Sequence, residues 1–240
     1  SITAYAYQAN ATAIHVGDGA TVPTIYNDGQ IFASSIQVNS ALGVTVNGGG
    51  FPDTPAPVPV SVTAIQIDPG ASVTTITNNS GILAELTGTA GVGGSTTAIV
   101  DKSGTLQNVN NTGSITAILN QTLSTTPMPT QSPTGASYTV AIDMSAGALP
   151  QTITQTFSPL ATSATTLVYD PTSGYAVNQI VSYQGNIYVN VVAAGAGYDP
   201  VDDPSYWREI GAVSPSIVGD IYFGSGQDTL DVQAGSVTSG

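Results

Sequence analysis

Thr63-Ala64-Ile65-Gln66-Ile67-Asp68-Pro69-Gly70-Ala71-Ser72-Val73-Thr74-Thr75-Ile76-Thr77-Asn78-Asn79-Ser80-Gly81-Ile82 is the stretch whose reading decides the fold. It aligns without a gap on residues 12–31. Val73, Ile76 and Ile82 stand three and then six residues apart, as do Val22, Ile25 and Ile31, and Leu106, Val109 and Ile115. Each trio carries an Asn two residues after its middle member: Asn27, Asn78 and Asn111. Each is preceded by the same opening, Thr12-Ala13-Ile14, Thr63-Ala64-Ile65 and Thr97-Ala98-Ile99. A unit this short cannot bury its own apolar face and must stack on copies of itself.

Within a copy, three short strands alternate with bends. In the first copy they are read over 12–16, 21–26 and 30–34, separated by Gly17-Asp18-Gly19 and Asn27-Asp28-Gly29. Gly takes positive φ at little cost, and Asn or Asp tolerates it and bonds its own backbone. Three strands and three bends make one coil of a parallel β-helix, with small and β-branched residues lining the interior.

The composition agrees with many strands and tight turns. Of the 240 residues, 41% are hydrophobic and only 7% charged, against roughly 25% charged in ordinary soluble domains. Thr, Ser, Asn and Gln supply the polarity, and 27 Gly and 15 Pro punctuate it. Lys102, Arg208 and a lone His15 face 15 acidic groups, for a formal charge of −13. That balance argues against a nucleic-acid partner, which needs clustered cations, and equally against anionic lipid. Acidity of this kind serves solubility or divalent-cation binding. There is no Cys, so disulfides and thiolate chemistry are excluded. No apolar run is long enough to span a bilayer as a helix, so no direct membrane insertion is expected. Ser1 opens in strand-like sequence, and a secreted protein of this kind would already have lost its signal.

Two more copies are read further on. One lies over 140–154, with Leu149 and Ile153 as its apolar pair. The other, over Leu230–Thr238, reads Asp231-Val232-Gln233-Ala234-Gly235-Ser236-Val237, close to Ile67–Val73, so that Gly240 falls in mid-copy. That break implies either a longer chain or an end covered by a neighbouring subunit. Surplus residues at 43–61, 88–95 and 121–135 are rich in Gly and Pro and read as loops. All three follow the third strand of their copy, which predicts that they leave from one corner. The resulting organisation is coils over 1–165, a small insert over 166–212 and a resumed, incomplete coil over 213–240.

The insert holds the only Trp and six of the 11 Tyr. Gln184-Gly185-Asn186 between alternating apolar runs signals a hairpin. The elements Val181-x-Tyr183-x-Gly185-x-x-Tyr188, followed by Pro204 and Trp207, resemble the small chitin-binding-type carbohydrate module. The resemblance implies a compact three-stranded β unit with Trp207 in its core. It also makes Tyr169, Tyr175, Tyr198 and Tyr206 candidates for a glycan platform, since a sugar's apolar face stacks on an aromatic ring. The family's aromatic after the second hairpin strand is missing from Val189-Asn190-Val191-Val192-Ala193-Ala194.

Gly224-Ser225-Gly226-Gln227-Asp228-Thr229-Leu230 resembles one calcium-binding nonapeptide of RTX β-rolls, which would make Asp228 a calcium ligand. Phe223 stands where the first Gly should be, and a plain turn is the competing reading. Asp202-Asp203 is a second candidate cation loop. His15 alternates with Ile14 and Val16, faces outward and lacks a second imidazole for a metal site. No pair of facing carboxylates can be nominated for glycoside hydrolysis. The chain is therefore read as non-catalytic.

Taken together, the Thr-Ala-Ile repeats, the Asn turns and the Phe223-Gly-x-Gly-x-Asp-Thr-Leu segment resemble the passenger region of bacterial autotransporter and adhesin-type surface proteins. The resemblance covers about 1–165 and 213–240. It implies an all-β, right-handed parallel β-helix, secreted and presented at the cell surface. The expected function is structural or adhesive. The alternatives are self-association of exposed β-helix ends into a filament or layer, and binding of surface glycans by the insert.

Overall fold

A computed structural model describes residues 1–37, 59–89, 93–122, 137–158 and 166–239. Among them the chain is all-β, with no helix. Five of the strands carry the Thr-Ala-Ile opening or the positions that replace it: β2 (Ala11–Val16), β5 (Val60–Ile67), β8 (Gly94–Asp101), β11 (Ser137–Asp143) and β18 (Asp220–Tyr222). Five follow the bend: β3 (Thr24–Asn27), β6 (Thr75–Asn78), β9 (Asn108–Asn111), β12 (Thr152–Gln155) and β19 (Thr229–Val232). Six form the third group: β1 (Ile2–Tyr7), β4 (Ile31–Gln37), β7 (Gly81–Thr89), β10 (Ser114–Thr122), β17 (Ser216–Val218) and β20 (Ser236–Thr238). The insert contributes β13 (Thr166–Val168), β14 (Ile180–Tyr183), β15 (Asn186–Asn190) and β16 (Trp207–Ala212).

The first three groups are three separate parallel sheets, and successive strands pass from one sheet to the next. The register explains the spacing of the repeat. Ile14, Ile65, Ile99, Ile142 and Ile221 stack in one column. Ile25, Ile76, Val109, Ile153 and Leu230 stack in a second. Ile2, Ile31, Ile82, Ile115, Ile217 and Val237 make a third. Ile65, Ile76, Ile82, Ile99, Val109, Ile115, Ile142 and Ile153 are fully buried in one core. Burying such a side chain stabilises the fold by about 1.5–3 kcal/mol. β-Branched residues suit these positions because their stiff side chains pack on a pleated surface.

Three details differ from the sequence reading. Residues 231–237 do not take the places of Ile67–Val73: Leu230 stands in the Ile76 column and Val237 in the Ile82 column, and the opening strand of that copy is the three-residue β18, whose Ile221 stacks on Ile142. So short a strand leaves no alternation to read. Leu149 is exposed, and the interior near it is closed by Gln151, which is 1% exposed and donates to the Met144 carbonyl at 2.8 Å. The asparagines of the repeat do not need positive φ, which falls at Gly19 and Gly70 instead. They do bond their own backbone, as the Gly29 N–H donates to Asn27 Oδ1 at 3.2 Å.

Residues 38–58, 90–92, 123–136, 159–165 and 240 lie outside the described residues. Most of the loop segments read at 43–61 and 121–135, and the centre of 88–95, fall among these. The insert enters after β12 and leaves before β17, so it interrupts the fourth strand set between its second and third sheets.

Candidate functional site

The insert is built around its hairpin. β14 and β15 pair antiparallel across Gln184 and Gly185, whose φ values of 49° and 85° give the turn its tight reversal. β16 adds antiparallel to β15, and β13 adds parallel to β14, so the sheet has four strands where three were expected. The fourth is the incoming chain itself, laid along a free edge. Trp207 is 3% exposed, and its Nε1 donates to the Tyr198 carbonyl at 2.9 Å.

The four tyrosines named from sequence part into two pairs. Tyr169 and Tyr175 are buried, stack on each other with centroids 5.6 Å apart, and meet Trp207 edge-on. Burial pushes the Tyr169 phenol above its usual pKa. The Tyr175 hydroxyl accepts from the Asp170 N–H at 2.6 Å and donates to the Asp170 carbonyl. These two rings are core and offer no open face. Tyr198 and Tyr206 lie 4.2 Å apart, with Tyr198 38% exposed and Tyr206 half-buried. Only this second pair reaches the surface.

Asp228 is engaged within the chain. Its Oδ1 accepts from the Gln151 N–H at 2.9 Å. A calcium ion takes six to eight oxygen ligands. Among the described residues no group of three or more His, Cys, Asp or Glu side chains could hold a metal ion. The nearby glycines have a packing cause: a Cβ on Gly224 would lie 1.9 Å from the Gly147 carbonyl oxygen. Asp203 Oδ2 accepts from the Asp199 N–H, and Asp199 Oδ1 from Val201 and Asp202 N–H, so that acidic loop is a bonded turn.

His15 does face outward. Its Nε2 is 2.5 Å from Asp68 Oδ2, while Asp68 Oδ1 accepts from Gln66. The Gln66 amide and then His15 hold the Asp68 carboxyl below its usual range.

Two features were not read from the sequence. The first is a buried amide ladder. Asn27 Nδ2 donates to Asn78 Oδ1, Asn78 Nδ2 to Asn111 Oδ1 and Asn111 Nδ2 to Gln155 Oε1, at 2.7, 2.8 and 3.0 Å. Gln155 Nε2 ends the series on the Ala234 carbonyl at 2.8 Å. The recurring Asn was the available signal, but a turn role accounted for it. The second is a cavity of about 620 Å³ on the outer face of the sheet containing β2, β5, β8, β11 and β18. Its lining includes Ser61, Thr63, Ser95, Thr97, Tyr138 and Tyr222. Tyr138 shares a register position with Ser95 and Ser61, a column visible only once the strands are paired.

The insert touches the body at Glu209, which accepts from Ser80 Oγ at 2.9 Å. Desolvation raises the Glu209 pKa, and the Ser80 bond offsets part of that rise. Beside it lies a cavity of about 370 Å³ lined by Tyr26, Asp28, Asn79 and Arg208. Asn79 Nδ2 bonds the Tyr26 hydroxyl at 2.7 Å and Asp28 Oδ1 at 3.0 Å, so most of this lining is self-satisfied. Among the described residues no helix is long and apolar enough to cross a membrane. Comparison with protein-family models, with curated proteins and with solved structures gave no match to this chain.

Proposed function

We propose that the chain is a non-catalytic structural and adhesive protein of a bacterial cell surface. In this reading the three parallel sheets wind as a right-handed parallel β-helix and carry the insert as an accessory unit. The observation that carries it is the amide ladder. Asn27, Asn78, Asn111 and Gln155 spend their buried polar groups on one another rather than on a ligand. Such a network rigidifies a stack and fixes its register. The hydroxyl-rich outer face and the resemblance to adhesin passengers support the same reading. Beads coated with the purified chain, passed over mucin-coated glass and epithelial monolayers under flow, test it. Retention well above that of beads carrying the heat-denatured chain is expected, and equal retention would overturn adhesion.

A second reading is end-to-end assembly. Among the described residues, β1, β2 and β3 close the sheets at one end and β20, β18 and β19 at the other, each with one unpaired edge. Ile2, Leu230, Val232 and Val237 are exposed there. Open edges template further strands. Electron microscopy at rising protein concentration should reveal end-on stacks, and monomers alone would remove this reading.

A further inference from the structure

We propose that the cavity on the outer face of the β2–β5–β8–β11–β18 sheet binds a neutral oligosaccharide. The inference rests on the adhesive reading and names the chemistry of its partner.

The register builds the site in rows. Ser61, Ser95 and Tyr138 line the cavity in one row, and Thr63, Thr97 and Val140 in the next, with Ser95, Thr63 and Val140 buried at its floor. Gln66, Val100, Asp143 and Tyr222 form a third. Neighbouring strands are about 4.8 Å apart, so hydroxyls recur across the sheet at a fixed interval. Ser95 Oγ already bonds Ser61 Oγ at 3.0 Å, which orients the first row. The cavity of about 620 Å³ lies within the range typical of ligand sites.

Tyr138 and Tyr222 mark the two ends of this surface. They are 52% and 46% exposed, unlike the buried Tyr169 and Tyr175 of the insert. Tyr138 stands five residues before Asp143, the register partner of Tyr222, which is roughly 15 Å along the strand. Two exposed rings that far apart, flanked on the β8 and β5 side by the Ser, Thr and Gln groups, match a chain of several sugar rings rather than one. Each ring offers a π face to the apolar side of a pyranose, and the Ser, Thr and Gln groups meet its hydroxyls.

Charge selects among ligands. The lining carries one cation, Lys102, and one anion, Asp143, and Asp220 accepts from the Tyr222 hydroxyl beside it, so the surface is acidic within a chain of formal charge −13. An anionic polysaccharide or nucleic acid would meet a single Lys in a repulsive field. An apolar ligand would leave a floor of hydroxyls unpaired.

The test uses the whole chain on an array of neutral oligosaccharides (glucans, xylans, mannans and chitooligosaccharides) beside heparin and hyaluronan, with titration calorimetry on the best hit. Binding to a neutral class, weakened at least about tenfold in both Tyr138→Ala and Tyr222→Ala, is expected, a factor worth about 1.4 kcal/mol. Tyr198→Ala in the insert should leave it unchanged. Both groove rings are exposed, so unaltered melting of the variants checks that they fold. A blank array, binding abolished only by Tyr198→Ala, or binding to anionic glycans alone would overturn the proposal. Beads that adhere while the array is blank sink the groove but keep adhesion. Beads that do not adhere while neutral glycans bind through Tyr138 keep the groove and sink adhesion.

Discussion

Asn27 and Asn78 lie fifty-one positions apart in the chain, yet Asn27 Nδ2 donates to Asn78 Oδ1 across 2.7 Å within the interior. Asn78 then donates onward to Asn111 and to the carbonyls of Ser80 and Ser114. It is therefore the busiest member of the ladder. Replacing Asn78 with Ala should destabilise the protein by about 2–4 kcal/mol, since partners are left unmade in the interior. For a chain of this size that lowers the melting temperature by roughly 5–15 °C. Calorimetry or urea unfolding reads it directly. A loss near zero would mean that the ladder adds nothing to stability.

The isoleucine columns make a graded prediction. Ile99 is fully buried with neighbours on both sides, whereas Ile14, on the edge strand β2, is half-buried. Ile99→Ala should cost about 2–5 kcal/mol through lost transfer energy and the cavity left behind. Ile14→Ala should cost clearly less. Equal losses in urea melts would contradict the stacking described.

Acid should act on two sets of carboxyls in opposite directions. The Asp68 and Asp170 pKa values are lowered, by the Gln66 amide foremost and by the Thr172 hydroxyl foremost, respectively. A lowered folded pKa gives stability that is present above the unfolded value and lost as pH falls through the folded one, here below about pH 4. Glu209 is raised by desolvation. Its contribution is full below the unfolded pKa of about 4.3 and disappears as pH rises through the raised folded value. Mild acid should therefore stabilise the fold by removing the desolvated charge of Glu209, although the neutral carboxyl accepts more weakly from Ser80, before stronger acid unfolds the body. In Glu209→Gln the gain between neutrality and about pH 4.5 should vanish. Superimposable melting curves for the two proteins across that interval would refute the assignment.

Asn190 is fully buried at the end of β15, and among the described residues neither Oδ1 nor Nδ2 has a hydrogen-bond partner. An unsatisfied buried amide costs about 1–3 kcal/mol. Asn190→Leu, which keeps the branched shape and removes the amide, should stabilise the insert, read as a higher midpoint of Trp207 fluorescence on heating. A lower midpoint would show that the amide is satisfied by a bound water.

Much of the scaffold was legible because its period is written in identical residues. The Ile65, Ile76 and Ile82 positions repeat at fixed spacing, and the register places each above its copy. The hairpin at Gln184-Gly185 was equally plain, since the turn residues carry the geometry. What escaped the reading depends on neighbours far along the chain. The three-residue strand β18 has no pattern of its own and is defined by its pairing with β11. The outer groove assembles from residues that are single and unremarkable in sequence: Ser61, Ser95, Tyr138 and Tyr222. Two tyrosines of the insert were hard to place for the opposite reason. Aromatic density there reflects a small core that needs large rings, and Tyr169 and Tyr175 serve it from inside.

The placement of the insert has a consequence for how it can be replaced. Asn111 Nδ2 reaches both Gln155 Oε1 before the insert and the Ser216 carbonyl after it, at 3.0 and 3.3 Å. One side chain thus clamps both lips of the opening. That clamp does not depend on the residues between the lips, so the corner works as a socket. Replacing 166–212 by another unit should leave the pairing of β9, β12 and β17 in place.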